Sequence, residues 1–310
     1  MGLAVATVAM VVGFTVAVLA SRVAVTGAGH LVARTSLPPF VVGITLVALG
    51  TDLPEIANSV IASLEGLGDV NVGDSIGSVV TQTTLVLGLM PLLGGALLIS
   101  RRRATAVGVG IVLALVLGAV LMQDGHLARA DGAALVASWV VLSFAVWRIG
   151  DSDDGERPEP ADGGLTRPLV QLAVGLTIVM LGVTAAIWGV VNLAEAAGVP
   201  VFLVSFFGAS IGTSLPEVLF SITALRRGHV EMAVGDALGA SMVDATLSIG
   251  IGPLVAPTFV STGLVERGVA VAIVVVVLAV GLLVLRRRHT VGSGVVLLLM
   301  YLGVYVVLLA

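Results

Sequence analysis

The sequence predicts an all-α integral membrane protein of ten transmembrane helices, arranged as two inverted five-helix repeats with helices 2 and 7 broken. Three observations carry that prediction. The chain of 310 residues is 58% hydrophobic and only 11% charged, with a mean hydropathy of +1.15, a composition that a water-soluble fold would have to display as large apolar patches. Its arginines alternate along the chain in step with the apolar runs. Its two halves also repeat one another without a gap. The runs recur at the ~20 residues that a helix needs to cross a bilayer, rather than at the ~10 alternating residues of a barrel strand.

The spans fall near residues 2–21, 39–64, 72–99, 104–122, 132–149, 168–188, 200–225, 232–258, 268–285 and 291–309. The first has no basic residue before its apolar run and is followed by Arg22, the pattern of a retained helix rather than of a cleaved leader. The loops after spans 1, 3, 5, 7 and 9 hold 13 of the 15 arginines. Positive-inside bias then puts those loops in the cytoplasm and both termini outside, in the cell (inner or plasma) membrane. A miscounted helix would scramble this alternation. Residues 1–149 and 168–310 form the two halves. Between them the stretch 150–167, rich in Asp, Glu, Pro and Gly, reads as a solvated cytoplasmic linker, because its six carboxylates lack the spacing of a calcium loop.

Residues 50–92 align with residues 212–254 at a constant offset of 162, and 17 of the 43 positions are identical. The surrounding repeats extend over 43–92 and 205–254. Chance similarity between Ala- and Val-rich membrane helices does not produce shared Pro-Glu and Gly-Asp pairs. Each half has an odd number of helices, so the copies lie upside down relative to one another. Inverted repeats with interrupted helices are the architecture of secondary transporters, not of enzymes.

Within the repeat, GTDLPE (50–55) faces GTSLPE (212–217). Pro54 and Pro216 fall near mid-bilayer and release the carbonyls four residues earlier, those of Gly50 and Gly212. Thr51, Thr213 and Ser214 add hydroxyl oxygens, and Glu55 and Glu217 follow each break. A buried carboxylate at this depth costs at least ~3 kcal/mol, so it faces a partner or a water-filled path. The second elements, GDSIGSVVTQT and GDALGASMVDA, bring Asp74 with Asp236, Ser78 opposite Ala240, and Gln82 opposite Asp244. Glu55, Glu217, Asp244 and Gln82 with nearby hydroxyls and carbonyls make an all-oxygen set suited to calcium or sodium, without the His or Cys that would recruit zinc or copper.

These paired stretches resemble the α-repeats of the sodium/calcium exchanger family, within the cation/calcium antiporters, whose usual patterns are G-T-S-L-P-E and G-N-x-x-G-S-N-I-x-N or D. The resemblance implies exchange of Na+ for Ca2+ by alternating access, with Glu55 and Glu217 as shared ligands. It also implies hydroxyl ligands at Thr51, Thr213, Ser214 and Ser78, further ligands at Gln82 and Asp244, and backbone carbonyls from Ala48 and Ser210. Several positions depart from the pattern. Asp52 replaces a serine, Gln82 an asparagine, Asp74 and Asp236 two asparagines, and Ala240 a serine. The added negative charge makes Asp52 a candidate ligand and makes Asp74 and Asp236 candidates for proton coupling, and it keeps proton-driven cation exchange open as the alternative.

The same residues narrow the remaining possibilities. With no cysteine, and arginine as the only basic residue besides four histidines, disulfides, thiolate catalysis and Schiff-base cofactors are excluded. No cofactor is expected. The expected partners are inorganic cations and the lipid bilayer, not nucleic acid, and a monomer is compatible with everything in the sequence. His30, His126, His229 and His289 fall near span ends and read as interfacial, and Trp139, Trp147 and Trp188 as apolar or interfacial anchors. An intramembrane protease built on Asp74 and Asp236 would not need mirrored Pro-Glu breaks.

Overall fold

The computed structural model describes residues 3–35, 37–151, 163–196, 212–286 and 288–309. In an apolar solvent every backbone polar group must find a partner within the protein, and the helix does so within one segment. The apolar runs accordingly become α1 (Leu3–Arg34), α2 (Pro39–Thr51), α3 (Leu53–Leu64), α4 (Gly68–Gly94), α5 (Arg101–Leu121), α6 (Arg129–Asp151), α7 (Thr166–Ala196), α8 (Leu215–Arg226), α9 (Val230–Val255), α10 (Thr262–Leu285) and α11 (Val291–Leu309). Among the described residues seven helices are long and apolar enough to cross a membrane, and α2 with α3, bent by 46° at their junction, make an eighth. The chain is therefore an all-α membrane protein. The linker expected at 150–167 lies mostly outside the described residues, as does the first part of the expected span 7.

Two helices overrun their expected spans. α1 continues past Arg22 to Arg34, and α7 covers Thr166–Ala196 where 168–188 was expected. At ~1.5 Å per residue each is longer than the ~30 Å hydrocarbon layer. Arginine is a good helix former, and the exposed Arg22 side chain can reach polar surroundings from a helix that carries on beyond it. The two helices pack antiparallel along glycines: a Cβ at Gly13 would lie 2.5 Å from the Gly182 carbonyl oxygen, and one at Gly189 2.5 Å from that of Ala6. Small residues in this register let the backbones touch.

α4 and α9 run through the middle and are the most buried of the long helices. They are repeat-equivalent, and each contains a π-helical turn at the same place, Gln82–Val86 and Asp244–Ser248. A third lies in α2 at Gly43–Val47. Such turns insert one residue into the helix and commonly mark functional positions. α2 crosses α9 closely, since a Cβ at Gly235 would meet the Phe40 carbonyl at 2.6 Å and one at Gly239 would meet Ile44 Cα at 2.6 Å.

Two short antiparallel ribbons join the halves. β1 (Leu97–Leu98) pairs with β4 (Arg288–His289), with Leu97 opposite His289. β2 (His126–Leu127) pairs with β3 (Thr258–Phe259), with His126 opposite Phe259. The 162-residue offset places Leu97 over Phe259 and His126 over Arg288, so one ribbon repeats the other with the halves exchanged.

Candidate ion-binding site

The site grows out of two chain breaks with the same backbone. Asp52 (φ −80°, ψ 8°) leads into α3 and Ser214 (φ −83°, ψ 3°) leads into α8. Pro54 and Pro216 fall in the first turns of these helices, where the missing N–H has no helical partner to lose. Glu55 and Glu217 occupy the same first turns, the helix end whose free N–H groups favour negative charge. The expectation of a free carbonyl ligand upstream is modified at Ala48, whose oxygen accepts the Asp52 N–H (3.0 Å) and the Thr51 hydroxyl (3.2 Å). Ser210 lies outside the described residues.

Asp52, Glu55 and Glu217 converge. Each presents a carboxylate oxygen within 4.8 Å of the others, and all three are buried. Asp244 and Gln82, also fully buried, close the group from the π-turns of α9 and α4. The Gln82 amide Nε2 donates to Asp244 Oδ2 (2.9 Å) and, more weakly, to Asp52 Oδ1 (3.4 Å). Both oxygens of Glu55 and of Glu217, with Asp52 Oδ2, Asp244 Oδ1, Gln82 Oε1, Ser78 Oγ and Ser214 Oγ, are buried and have no hydrogen-bond partner among the described residues. Native proteins rarely leave such atoms unmet. Three carboxylates at these separations repel one another by about 3 kcal/mol per ionised pair at an effective dielectric near 20. The missing component is positive charge, and the donors are hard oxygens of the kind calcium and sodium take.

Asp74 and Asp236 are held outside this trio. Asp236 accepts the Ser221 hydroxyl (2.7 Å) and the Thr51 hydroxyl (3.3 Å), and Asp74 accepts the Asn58 amide (2.7 Å). Thr51 therefore faces the second-half Asp236 as well as its own helix. Thr213 is half-buried beside the second break and is itself engaged.

Sequence reasoning missed several participants. Asn58, which holds Asp74, carries no repeat signal, because its equivalent is Phe220, whereas Ser221, which holds Asp236, is matched by Ser59, an identity of the repeat that could have marked it. Trp139 packs against Ala48, Ala240 and Val243, so it lies against the site's apolar wall rather than acting only as an anchor. His289, read as interfacial, is 2% exposed and bonded to the Leu87 carbonyl and to Ser293.

The family model described as "Sodium/calcium exchanger protein" matches residues 5–148 and 167–310. Among curated proteins, the inner membrane protein YrbG of Escherichia coli is 29% identical over 95% of this chain and 93% of its own. The putative antiporter CaxA of Alkalimonas amylolytica is 27% identical over 96% and 97%. A solved structure of the sodium-calcium exchanger NCX_Mj shares the fold, with a TM-score of 0.83, 23% identity and coverage of 98% of this chain and 99% of that one. These similarities favour sodium coupling over the proton-driven alternative. By sequence and fold, the chain belongs to the sodium/calcium exchanger protein family and is a Ca2+/Na+ antiporter, a secondary transporter and not an enzyme.

Proposed function

We propose that exchange runs through the single buried group centred on Asp52, Glu55 and Glu217, which Ca2+ and Na+ occupy in alternation. The observation that carries this reading is the convergence of three carboxylates within 4.8 Å at a helix break, with oxygens that no donor among the described residues satisfies. Ca2+ bridges Glu55 and Glu217 and draws the rest of its roughly six to eight oxygens from a set that Na+ also uses: Asp52, Asp244, Gln82, Ser78, Ser214, Thr51 and Thr213. The carbonyls of Ala48 and Ser210 complete that set. When the Thr51 hydroxyl turns fully to Asp236, the Ala48 carbonyl keeps the Asp52 N–H and turns its other lone pair to the ion. Na+ competes for the same carboxylates, so a carboxylate group vacated by one ion is claimed by the other and the empty, self-repelling site does not cross.

In the same reading the molecule has ten crossings in two inverted halves, residues 1–149 and 168–310, joined by a cytoplasmic linker, with both termini outside the cell membrane. The arginine alternation and the exchanged ribbons support it. Alternating access follows from the symmetry: the two breaks line opposite approaches to one site, and the halves trade conformations. Asp74 and Asp236 brace the approaches through Asn58, Ser221 and Thr51, and are the positions where a proton could replace a cation. No cofactor is assigned, and a monomer contains the whole site.

The test is calcium uptake by purified protein in liposomes. Glu55→Gln and Glu217→Gln each retain shape and lose charge, and each is expected to abolish sodium-driven uptake. Undiminished uptake in either variant would remove that residue from the site.

A further inference from the structure

Each central helix carries a proline near its C-terminal end, Pro91 in α4 and Pro253 in α9, at equivalent positions of the repeat. Proline has no N–H, so the carbonyl four residues earlier loses its helical donor. Those carbonyls belong to Leu87 and Ile249, each the residue directly after a π-turn, and the turns begin at Gln82 and Asp244. A bare carbonyl at this depth is unfavourable by the full cost of an unmet polar group.

The fold supplies each one with a side-chain donor from the opposite half. His289 Nε2 lies 2.8 Å from the Leu87 oxygen, and Asn71 Nδ2 lies 3.2 Å from the Ile249 oxygen. Both side chains are buried. A carbonyl can only accept, so His289 carries its proton on Nε2, while Nδ1 faces the Ser293 hydroxyl at 2.7 Å. Burial holds its pKa below the ordinary histidine value, which keeps the neutral ring as the resting form.

The two donors are not copies of each other. The first-half position equivalent to His289 is Leu127, and the second-half position equivalent to Asn71 is Ala233; neither side chain can donate. Each half therefore lacks the donor that the other half uses, and among the described residues each proline-freed carbonyl is met by one side chain, from across the molecule. In α4 the connection to the site is short, since the Leu87 N–H reaches back to the Gln82 carbonyl across the π-turn.

We infer that His289 and Asn71 are positioning residues for ion exchange, each clamping from the other half the proline-interrupted end of the helix that carries Gln82 or Asp244. The inference rests on the proposed ligand roles of those two residues. His289 fixes α4 through β4, whose partner β1 directly follows α4, and Asn71 fixes α9 from the first turn of α4.

The prolines provide the test. Replacing Pro91 with alanine returns a backbone N–H to the Leu87 carbonyl and makes His289 dispensable. Full-length protein in liposomes is measured for the Ca2+ concentration at half-maximal uptake, and in detergent for thermal stability. His289→Ala and Asn71→Ala are expected to raise the half-saturating Ca2+ roughly tenfold, in keeping with one unmet buried acceptor. His289→Gln, which can still donate from a similar reach, recovers most of the loss. His289→Ala with Pro91→Ala returns to the level of Pro91→Ala alone, and Asn71→Ala with Pro253→Ala to that of Pro253→Ala alone, whereas the crossed pairings give no rescue.

Unchanged half-saturation in the folded single variants overturns the inference, as does rescue by either proline indiscriminately. Where a single variant does not fold, recovery of folded protein in the matched double variant alone supports the clamp, and failure of that double variant contradicts it. Gln82→Ala and Asp244→Ala are measured alongside. If they leave half-saturation unchanged, the ligand assignment fails, while the matched rescue of thermal stability still reports on the clamp.

Discussion

At the scale of single residues, Asp52 is the most informative position. Its counterpart in the second half is Ser214, and its carboxylate joins Glu55 and Glu217 within 4.8 Å. Asp52→Ser restores the mirrored hydroxyl and removes one negative charge. It is expected to leave the fold intact and to weaken Ca2+ binding by roughly tenfold, a loss of ~1.4 kcal/mol, measured as half-saturation of uptake. Gln82 has a related task, because its amide donates to both Asp244 and Asp52, while its own buried oxygen meets no donor among the described residues. Gln82→Asn shortens that reach by one methylene and breaks at least one of these bonds. The expected outcome is a higher half-saturating Ca2+ with a nearly unchanged melting temperature.

At the scale of elements, the two breaks and the two π-turns do most of the positioning. The breaks were legible in the sequence, because a Pro-Glu pair in an apolar run is rare and its recurrence at offset 162 rarer. The π-turns were not, since QTTLV and DATLS contain nothing that distinguishes them from ordinary helix. Likewise Pro91 and Pro253 stood among the identities of the repeat, but their consequence depends on His289 and Asn71, residues that only the folded chain brings to them. The lengths of α1 and α7 escaped for a different reason: apolar content ends at the bilayer surface, whereas hydrogen bonding within a helix does not. Their glycine contacts give a further prediction. Gly13→Leu places a side chain where the Gly182 carbonyl lies 2.5 Å from a Cβ, so the helices must separate. The variant is expected to lower thermal stability in detergent by several degrees, while Gly281→Leu, which has nothing within 4 Å of its Cβ among the described residues, leaves it unchanged.

At the scale of the whole molecule, the repeat is the organising fact. The ribbons β1–β4 and β2–β3 exchange partners between the halves, the carbonyl clamps cross in both directions, and carboxylates from both halves converge at Asp52, Glu55 and Glu217. In the proposed mechanism, halves tied together in this way move as reciprocal parts, which suits a carrier whose site must open to one side at a time. The absence of cysteine in the native sequence permits a direct test of orientation. Single cysteines near either terminus are expected to react with a membrane-impermeant thiol reagent applied outside intact cells, and one placed in the 150–167 linker only after permeabilisation. The opposite pattern would reverse the assigned topology without disturbing the site.

The most direct test of sodium-coupled exchange through Glu55 and Glu217 is calcium uptake into liposomes at clamped membrane potential, driven either by an outward sodium gradient or by a pH gradient, for the wild-type protein and for Glu55→Gln and Glu217→Gln. Uptake is expected in sodium-loaded vesicles for the wild type, none in either variant, and none from the pH gradient alone. Uptake that follows only the pH gradient, or sodium-driven uptake that survives in both variants, would contradict sodium-coupled exchange through these residues.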